Sequence, residues 1–119
     1  MSPVKTYTGH CHCGAVRFRI TTEEITRGMR CNCSICVRKG VVMSVPYFSP
    51  QEIQVEGREA LTLYQWGDRM VNNWFCRTCG IHPFHDVTEK TGHYRVNLGC
   101  IDGLDVLSLP IELVDGKAF

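Results

Sequence analysis

The chain has 119 residues, with 13 Lys and Arg against 12 Asp and Glu for a formal charge of +1; 44% of its residues are hydrophobic and 21% charged. This balance excludes a disordered polar chain and the strongly basic footprint of a dedicated nucleic-acid binder. At this length a single domain over 1–119 is expected, burying roughly 65% of its unfolded surface.

No run of about 18 apolar residues is available to cross a membrane. The opening Met1-Ser2-Pro3-Val4-Lys5-Thr6-Tyr7 lacks the apolar core of an export signal, which points to the cytoplasm. Along the chain, Cys11-His12-Cys13 comes first, followed by Gly14-Ala15-Val16-Arg17-Phe18-Arg19-Ile20. There Val16, Phe18 and Ile20 alternate with Arg17 and Arg19, the pattern of a half-buried strand with the arginines on its solvated face. Thr21–Ile25 reads as a turn, with at most one helical turn.

Cys31-Asn32-Cys33-Ser34-Ile35-Cys36 follows, and Val37-Arg38-Lys39-Gly40 breaks the chain before the apolar run Val41–Val45, where Pro46 ends any strand. Gln54–Gly57, Leu61–Gly67 and Met70–Phe75 read as further strands, the last leading into Cys76-Arg77-Thr78-Cys79-Gly80. His82–His85 and Tyr94–Leu98 add two more before Cys100. Short strands between glycine-containing turns predict a mainly β fold with little helix.

Eight cysteines without an export signal favour metal ligation over disulfides. Thiols one or two residues apart are poorly placed to bridge each other, whereas a turn can aim both at one ion about 2.3 Å away. A four-coordinate site formed by Cys11, Cys13, Cys76 and Cys79 would staple distant parts of a small core. Cys31, Cys33 and Cys36 supply only three thiolates, and three protein ligands leave a zinc able to take an exogenous fourth. Cys100, or one of His10, His12, His82, His85 and His93, could instead close that second site and make both centres structural.

Gly9–Val16, Cys31–Cys36 with Lys39-Gly40, Phe75–Phe84 and the closing Val96–Asp102 resemble, in order, the signature blocks of the glutathione-dependent formaldehyde-activating enzyme family, which includes centromere protein V. The resemblance implies a small, mainly β, Mss4-like fold of several short antiparallel sheets stapled by zinc. It implies two zinc ions per chain, a structural one on Cys11, Cys13, Cys76 and Cys79 and a catalytic one on Cys31, Cys33 and Cys36. It also implies a carbon–sulfur lyase-type activity, S-(hydroxymethyl)glutathione synthesis, with glutathione and a small carbonyl compound as partners.

Physically, an open zinc would deprotonate a thiol whose ordinary pKa is about 8.5, giving the nucleophile that adds to a carbonyl carbon. Arg38 and Lys39, just past the triad, are candidates for glutathione's carboxylates, against the plainer reading of a solvated turn. Asn32 and Ser34 are candidates for hydrogen bonds to sulfur, and His85 and His93 for a general base. Tyr64, Trp66 and Trp74 read as core or rim aromatics. The competing reading is a zinc-stabilised binding or scaffold module. Seven thiolates and two Zn²⁺ would shift the charge by −7 + 4 = −3, from +1 to −2, which argues against nucleic acid as its partner.

Overall fold

The computed structural model describes residues 4–67 and 69–116; Met1–Pro3 of the opening segment thus lie outside the described residues. Strands β1 (Val4–His10), β2 (Arg17–Glu23) and β4 (Ile53–Glu56) form one antiparallel sheet in the order β1-β2-β4. Strands β5 (Leu61–Tyr64), β6 (Val71–Cys76), β7 (Phe84–Val87) and β8 (Lys90–Val96) form a second in sequential order. The fold is mainly β, as the alternation predicts. The third sheet pairs β3 (Gly28–Cys31) with β9 (Ile111–Val114) in parallel, a departure from the all-antiparallel expectation. A parallel pair needs a long connection, and here that connection is the whole of 32–110, between the end of β3 and the start of β9.

Phe18 and Ile20 are buried while Arg17 and Arg19 are exposed, the expected two-faced strand. The strand does not stop at Ile20: Thr21–Glu23 continue it, where the sequence suggested a turn, because β1 supplies partners out to Val4↔Glu23. Val41–Val45 is no strand; only Met43 makes isolated bridges, to Met29 and Asn97. Neither β3 nor β9 carries an alternating pattern in its own four residues, which is why their pairing is invisible before the chain folds.

The expected chain break at 37–40 is instead the end of a short helix, α1 (Ser34–Lys39). Cys33 caps its start, its sulfur accepting the Cys36 N–H, and Gly40 ends it in the left-handed region at φ 65°. Arg38 and Lys39 sit in the last turn, where cations favour the helix dipole.

The two faces of the four-stranded sheet have different roles. One carries Phe84, Tyr94, Val96 and Cys76 into a core shared with Val16, Phe18, Ile20, Phe48 and Leu98. Phe84 meets Phe18 edge-on at 6.3 Å and Tyr94 at 4.4 Å between ring centroids. The other face carries the alternate residues. Tyr64, Asn73, His85 and Arg95 are successive register partners across β5, β6, β7 and β8, so their side chains share one side. Val71 and Phe75 flank Asn73 on that same face of β6.

Candidate metal centre and thiol site

The sulfurs of Cys11, Cys13, Cys76 and Cys79 all lie within 4.8 Å of one another. Two chain turns deliver them. The Gly14 N–H donates to the Cys11 carbonyl at 3.1 Å, and the Gly80 N–H to the Cys76 carbonyl at 2.8 Å. Both glycines have left-handed backbone, at φ 82° and 80°. The Cys11–Cys13 and Cys13–Cys76 sulfur separations are 3.7 and 3.6 Å. A tetrahedron with about 2.3 Å zinc–sulfur bonds has edges of about 3.8 Å, so the set fits such an ion. The Val16 N–H also reaches Cys11 Sγ at 3.4 Å, the outer hydrogen bond a thiolate ligand needs.

Cys31, Cys33 and Cys36 form a second cluster, their sulfurs again mutually within 4.8 Å. Cys31 ends β3, Cys33 caps α1 and Cys36 lies in its first turn. Backbone N–H groups rather than side chains serve the sulfurs: Cys33 N–H to Cys31 Sγ at 3.5 Å and Cys36 N–H to Cys33 Sγ at 3.4 Å. Asn32, a side-chain candidate for that role, instead donates from Nδ2 to Asp115 Oδ1 at 2.9 Å, and Ser34 is exposed. Burial, then the hydrogen bond its thiol gives to Cys33, pushes the Cys36 thiol up to about 12. Three crowded thiols are hard to ionise together unless a cation neutralises them.

Among the described residues, no histidine and no eighth cysteine joins either cluster. Cys100 is buried in the core; burial, then the charges of Cys11 and Cys79, pushes its thiol up to about 12, which marks it as a neutral neighbour of the four-sulfur cluster. His10 is exposed and faces Asp102 Oδ1 at 3.3 Å, and His12 is exposed. His93 lies half-buried on β8.

The triad opens onto a pocket of about 200 Å³, whose polar wall is Lys39, Asn73, His85 and Arg95. Lys39 is turned inward: its Nζ donates to Asn73 Oδ1 at 3.1 Å and to His82 Nε2 at 3.2 Å. The His82 Nδ1–H donates to the Trp74 carbonyl at 2.7 Å, which leaves Nε2 as the acceptor. Burial, then the Lys39 charge, lowers both His82 and His85 to about 3, so both are neutral. Burial likewise lowers Lys39, opposed by the charges of Cys36, Cys33 and Cys31. Two cations and one neutral histidine, His85, therefore line the pocket that the triad faces, with His82 behind Lys39 and no carboxylate in the pocket wall.

Arg95 Nη2 donates to the Val45 carbonyl at 2.7 Å, and its guanidinium lies 4.4 Å from the Tyr47 ring centroid. The Tyr47 hydroxyl in turn meets His85 Nε2 at 3.1 Å. Arg38 points the other way. It is exposed, bonds the Ser34 carbonyl of its own helix at 2.8 Å, and borders a wider outer groove of about 510 Å³ with Tyr64, Trp66 and Phe75. Trp66 and Tyr64 are thus rim aromatics, whereas Trp74 is half-buried and donates from Nε1 to Asp86 Oδ1 at 3.0 Å.

The sequence reading missed Asn73, Arg95 and Tyr47 altogether, and saw His82 only as a metal ligand. Asn73 and Arg95 become legible only once the strand register places them in one row with His85, whereas Tyr47 and His82 lie outside the strands and carry no periodic signal at all.

The family model described as glutathione-dependent formaldehyde-activating enzyme matches residues 6–113. The chain belongs to this family. It is also similar to a crystal structure of a Rhodobacter sphaeroides protein, with a TM-score of 0.70 and 35% identity over 88% of this chain and 99% of that one. Both cysteine clusters, and every residue lining the pocket except Val114, fall within the matched residues. Membership supports, in general terms, a function of the glutathione-dependent formaldehyde-activating type. No helix among the described residues is long and apolar enough to cross a membrane.

Proposed function

We propose that this chain, as one zinc-binding domain, activates the thiol of glutathione for addition to formaldehyde or another small carbonyl compound. The product is a hemithioacetal such as S-(hydroxymethyl)glutathione, and the reverse step is a carbon–sulfur lyase reaction. The observation that carries the reading is a cluster of three sulfurs, Cys31, Cys33 and Cys36, opening onto a pocket lined by the half-buried Lys39. Zinc, held there by those three sulfurs and at the other end by Cys11, Cys13, Cys76 and Cys79, supplies at the triad the positive charge that keeps a thiol ionised near neutral pH.

The remaining work belongs to side chains. Lys39 presents an N–H to the carbonyl oxygen, where negative charge grows as the carbon–sulfur bond forms, and the thiol's proton finally resides on that oxygen. Asn73 and neutral His82 hold Lys39 Nζ in place, so its position does not have to be found during the reaction. Arg38, on the outer rim, is placed to take a carboxylate of the tripeptide in bidentate fashion. The reaction suits the cytoplasm, where glutathione is abundant and thiols stay reduced.

Exchange NMR on glutathione and formaldehyde tests the reading. Catalytic amounts of the protein should accelerate hemithioacetal exchange, and Cys33→Ser should abolish the acceleration. Exchange at the uncatalysed rate in the presence of the zinc-loaded protein would contradict it.

A further inference from the structure

The pocket beside the triad is far larger than formaldehyde requires. A cavity needs only about 10–15 Å³ of this kind of space to hold one water, and the pocket has about 200 Å³. Apart from its polar wall, the cysteines and Trp66, its lining is aliphatic: Met29, Ile35, Val41, Met43, Val71 and Val114. These side chains come from β3, α1, the segment after it, β6 and β9, so several separate parts of the chain contribute the apolar part of the lining.

Glutathione's main body does not suit this space. It carries an ammonium and two carboxylates; the wall offers the cations Lys39 and Arg95 but no carboxylate, so the ammonium would be buried against Met and Val without a partner, which is costly. The outer groove suits it better: that space is about 510 Å³ and is lined by Ser34, Arg38, Lys39 and the exposed aromatics Tyr64 and Trp66. Ile35, Lys39 and Trp66 border both spaces, so glutathione's body can lie in the groove while its thiol reaches into the pocket, where the triad lies and a carbonyl can meet the thiol beside Lys39.

We infer that the preferred carbonyl partner is an aldehyde with an unbranched apolar chain of several carbons, seated between Met29, Met43, Val71 and Val114 with its C=O toward Lys39. The inference rests on the proposed thiol addition and narrows its substrate class. In that step a carbon–sulfur bond forms and the carbonyl π pair moves to oxygen. The thiol's proton ends on that oxygen, and nothing is oxidised or reduced.

Two measurements on the full zinc-loaded chain test it. Exchange NMR with glutathione and formaldehyde, propanal or pentanal gives kcat/KM for each aldehyde, corrected for the uncatalysed rate. The unreactive mimics propanamide and pentanamide give binding without turnover, read from the methyl resonances of Met29 and Met43. Each buried methylene should strengthen both readouts about fourfold. Val71→Trp, which fills the space, should bring the pentanal-to-propanal ratio close to one; should that variant not fold, the amide series decides. Acceleration of formaldehyde with a flat or falling response to chain length overturns this inference and leaves the proposed reaction standing. Acceleration of no aldehyde overturns the proposed reaction and this inference with it.

Discussion

Lys39 Nζ donates to Asn73 Oδ1 at 3.1 Å, tying the last turn of the cysteine-capped helix to an inner strand of the four-stranded sheet. The bond sets where the triad's helix lies over the sheet, and it points a cation into the pocket the triad faces. Lys39→Met should therefore lower kcat by about 10²–10³, the usual cost of losing one donor to a developing oxyanion, while KM for glutathione stays within about twofold. Stability should move by less than about 2 kcal/mol, because removing a half-buried ammonium offsets the loss of its two hydrogen bonds. Steady-state kinetics and urea unfolding of the variant check both.

The two cysteine clusters should respond differently to mutation. Cys76 is buried, and its cluster joins the start of the chain to the β6–β7 turn. Cys76→Ser should leave no cooperative unfolding transition at 25 °C, since structural zinc sites contribute folding free energy outright. Cys33→Ser should fold, melt only a few degrees lower, and bind one zinc and no glutathione. Calorimetry with zinc quantitation separates the two; equal unfolding of both variants would make the triad a structural site.

Acid should destabilise the protein through its buried histidines. His82 and His85 are lowered to about 3 by burial and then by the Lys39 charge, so between about pH 6.5 and 3 the unfolded chain binds more protons than the folded one. Stability is then highest above pH 6.5 and falls with acidification, by about 2 kcal/mol per histidine at pH 5. His85→Asn should remove about half of that fall. Urea midpoints at pH 7 and pH 5 measure it, with metal release common to both proteins.

Gly57 controls the first cysteine turn from outside. It has φ 83°, and a Cβ there would sit 1.8 Å from the Ala15 carbonyl oxygen, two residues past Cys13. Gly57→Ala should cost about 1–3 kcal/mol in backbone strain alone, with further loss as the turn at Cys11–Ala15 is pushed aside. A reduced zinc content together with a lower melting temperature would register both effects.

The sequence made the metal chemistry legible because ligand spacing is local. Cys11 with Cys13, the 31–36 run, and Cys76 with Cys79 each form within a single turn, and ligand counting alone suggested which sets belong together. A strand with its own alternation, such as β2, was legible for the same reason. The parallel β3–β9 pair was not, since Gly28–Cys31 and Ile111–Val114 meet only after the intervening chain has folded. The pocket wall was hidden for a related reason. Tyr64, Asn73, His85 and Arg95 form a row only through the registers of three strand pairings. Arg38 and Lys39 look equivalent in sequence, yet the helical turn sends Arg38 to the rim and Lys39 into the pocket.

Cobalt substitution tests the central claim most directly, because the visible bands of Co²⁺ respond to a change in its ligands. With two cobalt ions bound per chain, glutathione should alter the bands of one ion and leave the four-cysteine ion unchanged, and Cys33→Ser should remove the responsive half. A spectrum that saturating glutathione leaves unaltered would mean that the triad's ion accepts no visiting thiol, and the proposed chemistry would fail with it.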